Sequence, residues 1–475
     1  MSLGINELKS LQTLSKIISG DENGFEINGL KDLRNLCGKI SILGLEKVQS
    51  SSHAREANFS QKRLTELEVR WNDVFDISRK EMLEKEVWSS DFGDVFPCLQ
   101  KLVIRKCPNL AEVSLGALPS LIDLSLDGCC NVVLRTLIQV ASSVSKVCIS
   151  CISGLTDEVW EGVIKYLEAV KELGLGDCNE LDTCGRHKED DLGDDRESNL
   201  LRSLRTLSVL SCKSMERCTY PNNIDTLDIN NCSSITTISF PTGGWHKLRS
   251  LSIVNCNQLL ENEFVAASGV SLLEDVQIRC WPHLKTIIGL NYFIHLTRMT
   301  IEDCKSLESF PNHELPNLTS LKDLIIKDCP ALNASFPRGL WPSNLGFLEI
   351  GRLKKPISQW GTFPNSLIKL VLWGGPSEED ATNCSQLSLS HLVQDSSLNN
   401  IRLECFEKLE SVSMGLQHLT SLQHLTFSSC PKMIHLPKML LPSLLRLDIH
   451  NCPKLKVAVE EALTSPSSPI SPISS

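Results

Sequence analysis

The stretch LPSLLRLDIHNCPKL (residues 441–455) sets Leu444, Leu447 and Ile449 in close succession and places Cys452 three residues after the last of them. The same arrangement occurs in SLRTLSVLSCKSM, HLTRMTIEDCKSL and LTSLKDLIIKDCPAL. The chain has 20 cysteines in 475 residues. The role of the cysteine in this arrangement therefore decides between an enzyme, a metal protein and a scaffold.

Aligning the chain on this cysteine position, which we call the slot, gives one template, L-x-x-L-x-[IL]-x-x-[CN]-x-x-L. The slot falls at residues 107, 129, 152, 178, 212, 232, 256, 281, 304, 329, 353, 375, 406, 430 and 452. Most spacings are 20 to 26 residues, and the longer ones before Cys212 and Phe406 mark insertions. This period and pattern predict a leucine-rich-repeat solenoid.

Alternation in the L-x-I core points the two aliphatic side chains to one side and the x residues to the other, as in a short strand. One coil then supplies one strand. The predicted fold class is α/β: a horseshoe with a parallel sheet on the concave face and an irregular or short-helical convex side. No coil buries its aliphatic row alone, so stability is shared between neighbours.

Ten slots hold cysteine, at residues 107, 129, 178, 212, 232, 256, 304, 329, 430 and 452. The slot lies where the backbone turns inward after the strand, and reduced cysteine is a small residue that is often buried. Ile152, Trp281, Leu353 and Phe406 occupy other slots. Sulfur is therefore dispensable there, which favours a structural role over a metal or redox role.

The pattern divides the chain into amino-terminal repeats with helical insertions (1–98), regular repeats (99–457) and a disordered Ser/Pro-rich tail (458–475). The looser repeats before residue 99 are Leu33-Leu36-Ile40 and Leu64-Leu67-Val69. We expect helices in AREANFSQKRL, DISRKEMLEKEV and DEVWEGVIKYLEAV, and an exposed acidic loop in HKEDDLGDDRES.

Chemistry is sparse in this sequence. Phosphate-binding glycine loops and a GxSxG elbow are missing from the 475 residues, and we expect neither an enzyme nor a cofactor. Cys148 and Cys151 form a CxxC along a predicted strand, and Cys178, Cys184 and His187 offer three nonspecific zinc ligands; we favour structural roles for both sets. A net charge of −10 argues against nucleic acid, and no apolar run reaches the length of a membrane span.

The first ninety residues carry a more specific signal. LKSLQTLSKIISG, LKDLRNLCGKISILGLEKV and AREANFSQKRLTELEVRW, followed by NDVFDISRKEMLEKEV, resemble the start of the leucine-rich-repeat region of plant coiled-coil nucleotide-binding disease-resistance proteins. LPNLTSLKDLIIKDCPAL and LTSLQHLTFSSCPKM are similar to that family's later repeats. The resemblance extends to about Leu455.

The resemblance implies a protein-recognition and autoinhibitory module of an intracellular plant immune receptor, in the cytoplasm or also the nucleus. Its implied partners are a nucleotide-binding module, in cis or in trans, and a pathogen effector or guarded host protein. The family's phosphate loop and Met-His-Asp motif do not occur here, so we expect a fragment, a truncated gene product or a degenerate paralogue. A substrate adaptor of a ubiquitin ligase is the alternative, suggested by CISGLTDEVW at Cys151.

Recognition is expected at the x positions that alternation turns outward on the concave face. These candidates are Arg70, Trp71, Arg105, Lys106, Arg279, Glu302, Lys327, Trp373, Arg402 and Glu404. The first four gather basic and aromatic side chains on the opening repeats of an acidic chain, which suits a charged partner. We assign these four to the nucleotide-binding module, and Trp373 with its later neighbours to the pathogen-derived or host protein.

Overall fold

The computed structural model describes residues 7–19, 26–44, 53, 56–71, 96–108, 110, 117–184, 201–221, 223–239, 247–260, 263–265, 271–333, 341–357, 360, 362–375, 386–388, 397–413, 419–436 and 443–457. The chain forms two compact units, Met1–Ser239 and Phe240–Ser475. The boundaries predicted from the sequence separate regular from irregular repeats and do not describe compact units, so they stay a prediction.

Each unit is built on a parallel sheet to which each coil contributes one strand. The strands of the first unit are β1 (Lys16–Ile18), β2 (Cys37–Leu43), β3 (Arg63–Arg70), β4 (Lys101–Arg105), β5 (Asp123–Asp127), β6 (Lys146–Ser150), β7 (Glu172–Gly176), β8 (Thr206–Leu210), β9 (Arg217–Thr219), β10 (Thr226–Asn230) and β11 (Thr237–Ser239). The sheet order is β1-β2-β3-β4-β5-β6-β7-β8-β10, and every pair is parallel.

The second unit repeats this plan. Its strands are β12 (Ser250–Val254), β13 (Glu263–Val265), β14 (Asp275–Arg279), β15 (Thr286–Ile288), β16 (Arg298–Glu302), β17 (Asp323–Lys327), β18 (Phe347–Gly351), β19 (Lys369–Trp373), β20 (Gln386–Ser388), β21 (Asn400–Glu404), β22 (Ser411–Ser413), β23 (His424–Ser428) and β24 (Arg446–His450). The sheet order is β12-β14-β16-β17-β18-β19-β21-β23-β24, again parallel. The predicted leucine-rich-repeat solenoid is confirmed.

The return side of the coils carries helices and short strand pairs. Two α-helices, α1 (Asn131–Val140) and α2 (Asp157–Ile164), lie in consecutive coils, and 3-10 helices span Ile27–Leu30, Phe59–Gln61, Leu290–Tyr292 and Asn312–Asn317. Three pairs of three-residue parallel strands, β9–β11, β13–β15 and β20–β22, add a second line of pairing. The sequence did not predict these pairs or α1.

Alternation along the strands sorts their side chains as predicted. In β10, Leu227 and Ile229 are 0% exposed, whereas the intervening Asp228 lies on the partly exposed face. The same pattern occurs in β5, β12, β14 and β17. Burial of the aliphatic row against neighbouring coils is the main source of stability, at about 25 cal/mol for each Å² of apolar surface removed from water.

The residue that follows each strand adopts a left-handed backbone in most coils. From β4 onward, its φ lies between +47° and +64° at Lys106, Gly128, Cys151, Asp177, Ser211, Asn231, Asn255, Cys280, Asp303, Asp328, Arg352, Cys405, Ser429 and Asn451. This residue immediately precedes the slot, and the left-handed turn directs the slot side chain inward. Asn, Asp and Gly recur at this position because they tolerate positive φ best.

The ten slot cysteines are all buried, as predicted. The Cys232 thiol lies 3.4 Å from the carbonyl oxygen of Asn230 and 3.6 Å from that of Val209 in the preceding coil. The Cys430 thiol makes the matching contacts with Ser428 and Leu403. The thiol is thus an additional weak donor to carbonyl groups where the strand ends, and Asn230 and Ser428 also accept a backbone N–H there. The cysteines of the described residues are thiols and not disulfides.

Burial also affects the ionisation of these thiols. It raises the pKa of Cys129 to about 12. The pKa of Cys212 is likewise raised to about 12, chiefly by its hydrogen bond to Cys178, with burial adding to the effect. Both groups are therefore protonated at neutral pH, and a protonated thiol is a poor nucleophile and a poor metal ligand.

The helical expectations have mixed outcomes. DEVWEGVIKYLEAV is helical only over Asp157–Ile164, and AREANFSQKRL shows the 3-10 helix Phe59–Gln61 before β3 within its described part. DISRKEMLEKEV, the acidic loop HKEDDLGDDRES and the tail 458–475 lie outside the described residues.

A pair of neighbouring substitutions tests the strand register. Leu227→Asp places an unpaired carboxylate between two coils and is expected to cost several kcal/mol, about 3 or more, whereas Asp228→Ala on the sheet face is expected to cost under ~0.5 kcal/mol. Chemical denaturation monitored by circular dichroism measures both. Equal shifts of the unfolding midpoint would contradict the register.

Thiol labelling tests the slot. We expect the ten slot cysteines to react with a maleimide only after denaturation, because the native fold buries them away from the reagent. Exposed Cys98, Cys148 and Cys151 provide an internal control and are expected to react in the native protein. Mass spectrometry of digested protein counts the labelled sites, and rapid native labelling of most slots would overturn the structural role.

Candidate functional site

The parallel register brings predicted recognition residues of the second unit into one row. Neighbouring strands place their last outward residues side by side, and the row runs Arg279, Glu302, Lys327, Gly351, Trp373 and Glu404. Arg402 lies on the same face, one outward position earlier on β21. The candidates that sequence reasoning scattered over 125 residues of chain therefore share one surface.

Trp373 is the centre of this row. Its indole Nε1 donates a hydrogen bond to Glu349 Oε1 at 2.9 Å, and the Lys327 Nζ lies 4.4 Å from the ring centroid. The guanidinium carbon of Arg352 lies 5.2 Å from the same centroid. Two cations against one indole ring make cation–π contacts that hold the ring in place.

A missing side chain makes this arrangement possible. Gly351 pairs directly with Trp373 and has a φ of +155°. A Cβ at Gly351 would lie 2.7 Å from the Trp373 Cβ and closer still to its backbone oxygen. At Gly375, a Cβ would lie 2.8 Å from the Cγ of Arg352. Glycine at both positions therefore leaves room for Trp373 and Arg352 to pack.

The charged side chains around Trp373 form ion pairs with one another. Lys327 Nζ lies 2.8 Å from Glu349 Oε1 and 3.3 Å from Glu302 Oε1, and Glu302 also pairs with Arg279 at 3.2 Å. Arg352 donates to Asp328 at 2.9 Å and to the Gly374 carbonyl at 2.9 Å. We call Glu302, Lys327, Glu349, Arg352 and Trp373 the Trp373 cluster.

The electrostatics keep both cations of the Trp373 cluster charged. Burial acts to lower the pKa of Lys327, but the hydrogen bond and charge of Glu349, aided by Glu302, outweigh it and the net shift is upward. Burial likewise opposes the charge of Arg352, and the hydrogen bond to Asp328 outweighs it, so its pKa is raised as well. The cluster is therefore a set of fixed charges with a partly exposed aromatic ring.

The two candidates on β21 differ in exposure. Arg402 is exposed and forms an ion pair with Glu404. Glu404 belongs to the row, yet only 5% of its surface is exposed. Glu404 therefore orients Arg402 more than it offers a surface of its own.

The four amino-terminal candidates do not form the patch expected from the sequence. Arg70 and Arg105 are paired at the ends of β3 and β4, and Arg105 lies 3.8 Å from Glu68. Trp71, however, is 0% exposed, so the expectation that it faces outward is wrong. The chain leaves the strand after Arg70, where strict alternation ends, and the indole turns into the core.

Lys106 occupies the left-handed position after β4, with a φ of +60°, and is partly exposed. The basic patch that the structure describes on these coils is therefore Arg70, Arg105 and Lys106, without an aromatic side chain. A binding role for these and the other candidates stays a prediction.

Sequence reasoning missed four members of the site: Asp328, Glu349, Gly351 and Arg352. Glu349 is the middle x of Leu348-Glu349-Ile350, and the other three stand at or just after strand ends. Superposing neighbouring repeats in register, instead of taking each one alone, would have placed them beside Lys327 and Trp373.

In the described part of the chain, the cysteines considered as redox groups are thiols and not disulfides, and those considered as zinc ligands form no metal site. Cys148 lies on β6 facing outward and Cys151 follows the strand with a left-handed backbone. Cys184 lies 3.0 Å from the sulfur of Cys218, while His187 lies outside the described residues. Burial raises the pKa of Cys148. Within the described part of the chain, no three His, Cys, Asp or Glu side chains are placed to hold a metal ion, and no helix there is long and apolar enough to cross a membrane.

Comparison with known proteins agrees with this architecture. Residues 27–90 match the family model described as R13L1/DRL21 LRRs. The chain is 29% identical over 220 residues to disease resistance protein RPS4B of Arabidopsis thaliana, which is 39% of this chain and 18% of that protein. It is 43% identical over 70 residues to putative disease resistance protein RGA4 of Solanum bulbocastanum, which is 14% of this chain and 7% of that protein.

Solved leucine-rich-repeat structures are also similar at low identity. The Leptospira interrogans protein LIC12759 matches with a TM-score of 0.35 and 17% identity, over 68% of this chain and 88% of that one. The circular protein CroV588 matches with a TM-score of 0.44 and 16% identity, over 93% of this chain and 63% of that one.

The repeats, the parallel coils and the family match define a leucine-rich-repeat protein. Within that class, the chain is related to plant disease-resistance proteins and resembles a leucine-rich-repeat region of such proteins. The matched segments span less than a fifth of the length of these relatives.

Two glycine substitutions test the geometry of the Trp373 cluster. Gly351→Ala is expected to destabilise the second unit by about 2 kcal/mol or more, because its Cβ would overlap Trp373. Gly346→Ala, one residue before β18, is the matched control, since its Cβ would make only ordinary 3.9 Å contacts, with Ile368 and with the carbonyl oxygen of Lys322. Unfolding midpoints in denaturant measure both variants, and equal midpoints would contradict the packing of Trp373 across Gly351.

Proposed function

We propose that this chain is the protein-recognition and autoinhibitory module of an intracellular plant immune receptor of the nucleotide-binding, leucine-rich-repeat kind. It acts by binding proteins and not by catalysis. The observation that carries the proposal is the Trp373 cluster, a partly exposed indole with two cations against its ring, on the sheet face of a protein related to disease-resistance proteins.

The chemistry of the Trp373 cluster suits a binding site. Tryptophan and arginine are the residues that most often dominate protein interfaces. Binding costs entropy for each flexible side chain that has to be fixed, and here the ion pairs to Glu302, Glu349 and Asp328 fix the cations beforehand. Trp373 and Arg402 would therefore contact a pathogen-derived or guarded host protein at low ordering cost.

The basic residues Arg70, Arg105 and Lys106 have the second role in this proposal. They lie on the first unit, in a chain with a net charge of −10, and would hold an acidic surface of the nucleotide-binding module in its resting state. Such a receptor works in the cytosol, or also in the nucleus.

The ubiquitin-ligase adaptor has one observation in its favour, the two helical coils of α1 and α2, which include the CISGLTDEVW segment. They cover only a small part of the chain, and the relatives described above are disease-resistance proteins. We therefore favour the receptor module.

Association with a nucleotide-binding module tests the autoinhibitory role. The chain is mixed with a purified nucleotide-binding module of a plant disease-resistance protein, and binding is measured by calorimetry. We expect the double variant Arg105→Glu/Lys106→Glu to bind at least about tenfold more weakly, because it places acidic groups against an acidic partner.

The matched control is Arg202→Glu/Lys213→Glu, the same charge change at exposed positions outside the strands of the first unit. It is expected to bind like the unchanged chain, as is Trp373→Ala, since the indole serves the other partner. Circular dichroism of each variant checks the fold. If the unchanged chain does not bind the module, or if both double variants bind equally, the autoinhibitory assignment is wrong.

A further inference from the structure

The last described strand of the second unit, β24, has a partly exposed core side. Its inward residues Leu447 and Ile449 are partly exposed, whereas the equivalent Leu425 and Phe427 of β23 are 4% and 0% exposed. Leu445, just before β24, is 75% exposed. At the other end of the chain, the inward Ile17 of β1 is 1% exposed, so an open core side distinguishes the carboxyl-terminal strand.

The backbone of β24 is also open along one edge. The Arg446 N–H donates to Gln423 and the His450 carbonyl accepts from Ser429, so these residues point toward β23. In a parallel ladder the hydrogen-bonding groups alternate in direction, so the N–H and C=O groups of Leu447 and Ile449 point away from β23. Among the described strands, only β23 pairs with β24. Such an edge is a template for another strand.

The sequence of this edge is complementary to itself. An antiparallel pair centred on Leu447 sets Leu447 opposite Leu447 of a second copy and Leu445 opposite its Ile449. The same register sets Arg446 opposite Asp448 of the second copy, and Asp448 opposite its Arg446. Within one chain Arg446 already pairs with Asp448 at 2.7 Å, so both charges lie on the sheet face, away from the aliphatic side chains.

We propose that β24 is a self-association surface on which a second copy of this chain pairs antiparallel, about a two-fold axis at Leu447. The pairing continues the sheet through two hydrogen-bonded edges and covers the open aliphatic residues of both copies. The two Arg446 and two Asp448 side chains then form a square of alternating charge on the sheet face.

The charges of Arg446 and Asp448 favour a second copy of this chain as the partner strand, and they favour the register centred on Leu447. Centring the pair one residue later, on Asp448, would set two aspartates opposite each other, and like charges directly opposite destabilise a strand pair. A foreign strand would need its own match to Leu445, Arg446, Leu447 and Asp448, whereas the second copy supplies that match by symmetry.

The test is the solution mass of the full chain, measured by sedimentation at several micromolar concentrations. We expect a monomer–dimer equilibrium in the unchanged chain. Asp448→Arg, which sets arginine opposite arginine, is expected to raise the dimer dissociation constant at least about tenfold. The swapped variant Arg446→Asp/Asp448→Arg restores opposite charges across the axis and is expected to return the constant to near its original value.

The matched control is Glu172→Arg, a charge reversal within the exposed Lys146–Glu172 pair of the first unit, which is expected to leave the dimer unchanged. Thermal melting of each variant, together with recovery in the swap, separates lost pairing from lost folding. A monomer at all concentrations would overturn the proposal. So would a dimer that Asp448→Arg does not weaken, or one that the swap does not restore.

Discussion

The left-handed residue that follows the strand in most coils is the constraint on which the rest of the solenoid depends. It turns the backbone inward, so that the slot side chain enters the core directly beneath the sheet, as Cys232 does after Asn231. The carbonyl groups at the strand end already accept an N–H of the preceding coil, as Asn230 does from Ser211, and they keep room for a second, weaker donor. A thiol contacts them on its own coil and on the preceding one, while filling little space. The abundance of cysteine in this chain is thus a consequence of backbone geometry.

The alternation of aliphatic residues and the regular repeat spacing made the strands predictable. Predictions were wrong where these two patterns do not apply. They located Leu227, Ile229 and the buried slots because each coil repeats one environment. They failed at Trp71, which follows β3 and is no longer governed by the alternation of the strand. Helix α1 was missed because it directly follows a regular slot, although Val133, Leu134, Leu137 and Ile138 have helical spacing. The three-residue strand pairs on the return side are too short to leave a pattern and are set by neighbouring coils.

The candidate site was predictable as a set of outward positions and not as a structure. Alternation along the strands predicts that Lys327 and Trp373 lie on the outward face of the sheet. Only the strand register shows that they lie in one row. The identity of the residue between them decides the outcome. Any side chain at position 351 would fill the space that Trp373 and its backbone need. The glycine at this position therefore decides whether the indole can pack in the row.

The pairing of charges around Trp373 also limits what a partner can gain there. The ion pairs of Lys327 are largely buried, so the cost of desolvating the charges offsets much of their attraction, and we regard them chiefly as supports that fix geometry. Lys327 is already shared between Glu302 and Glu349, so a partner that offers a new carboxylate to it would have to displace an existing one. The exposed part of the indole carries no such cost, because its N–H is already bonded to Glu349 and its remaining surface is apolar. In the proposed interface a partner would gain most by burying the ring and matching the rim of fixed charges, so Trp373 would be the anchor and the surrounding pairs would determine specificity.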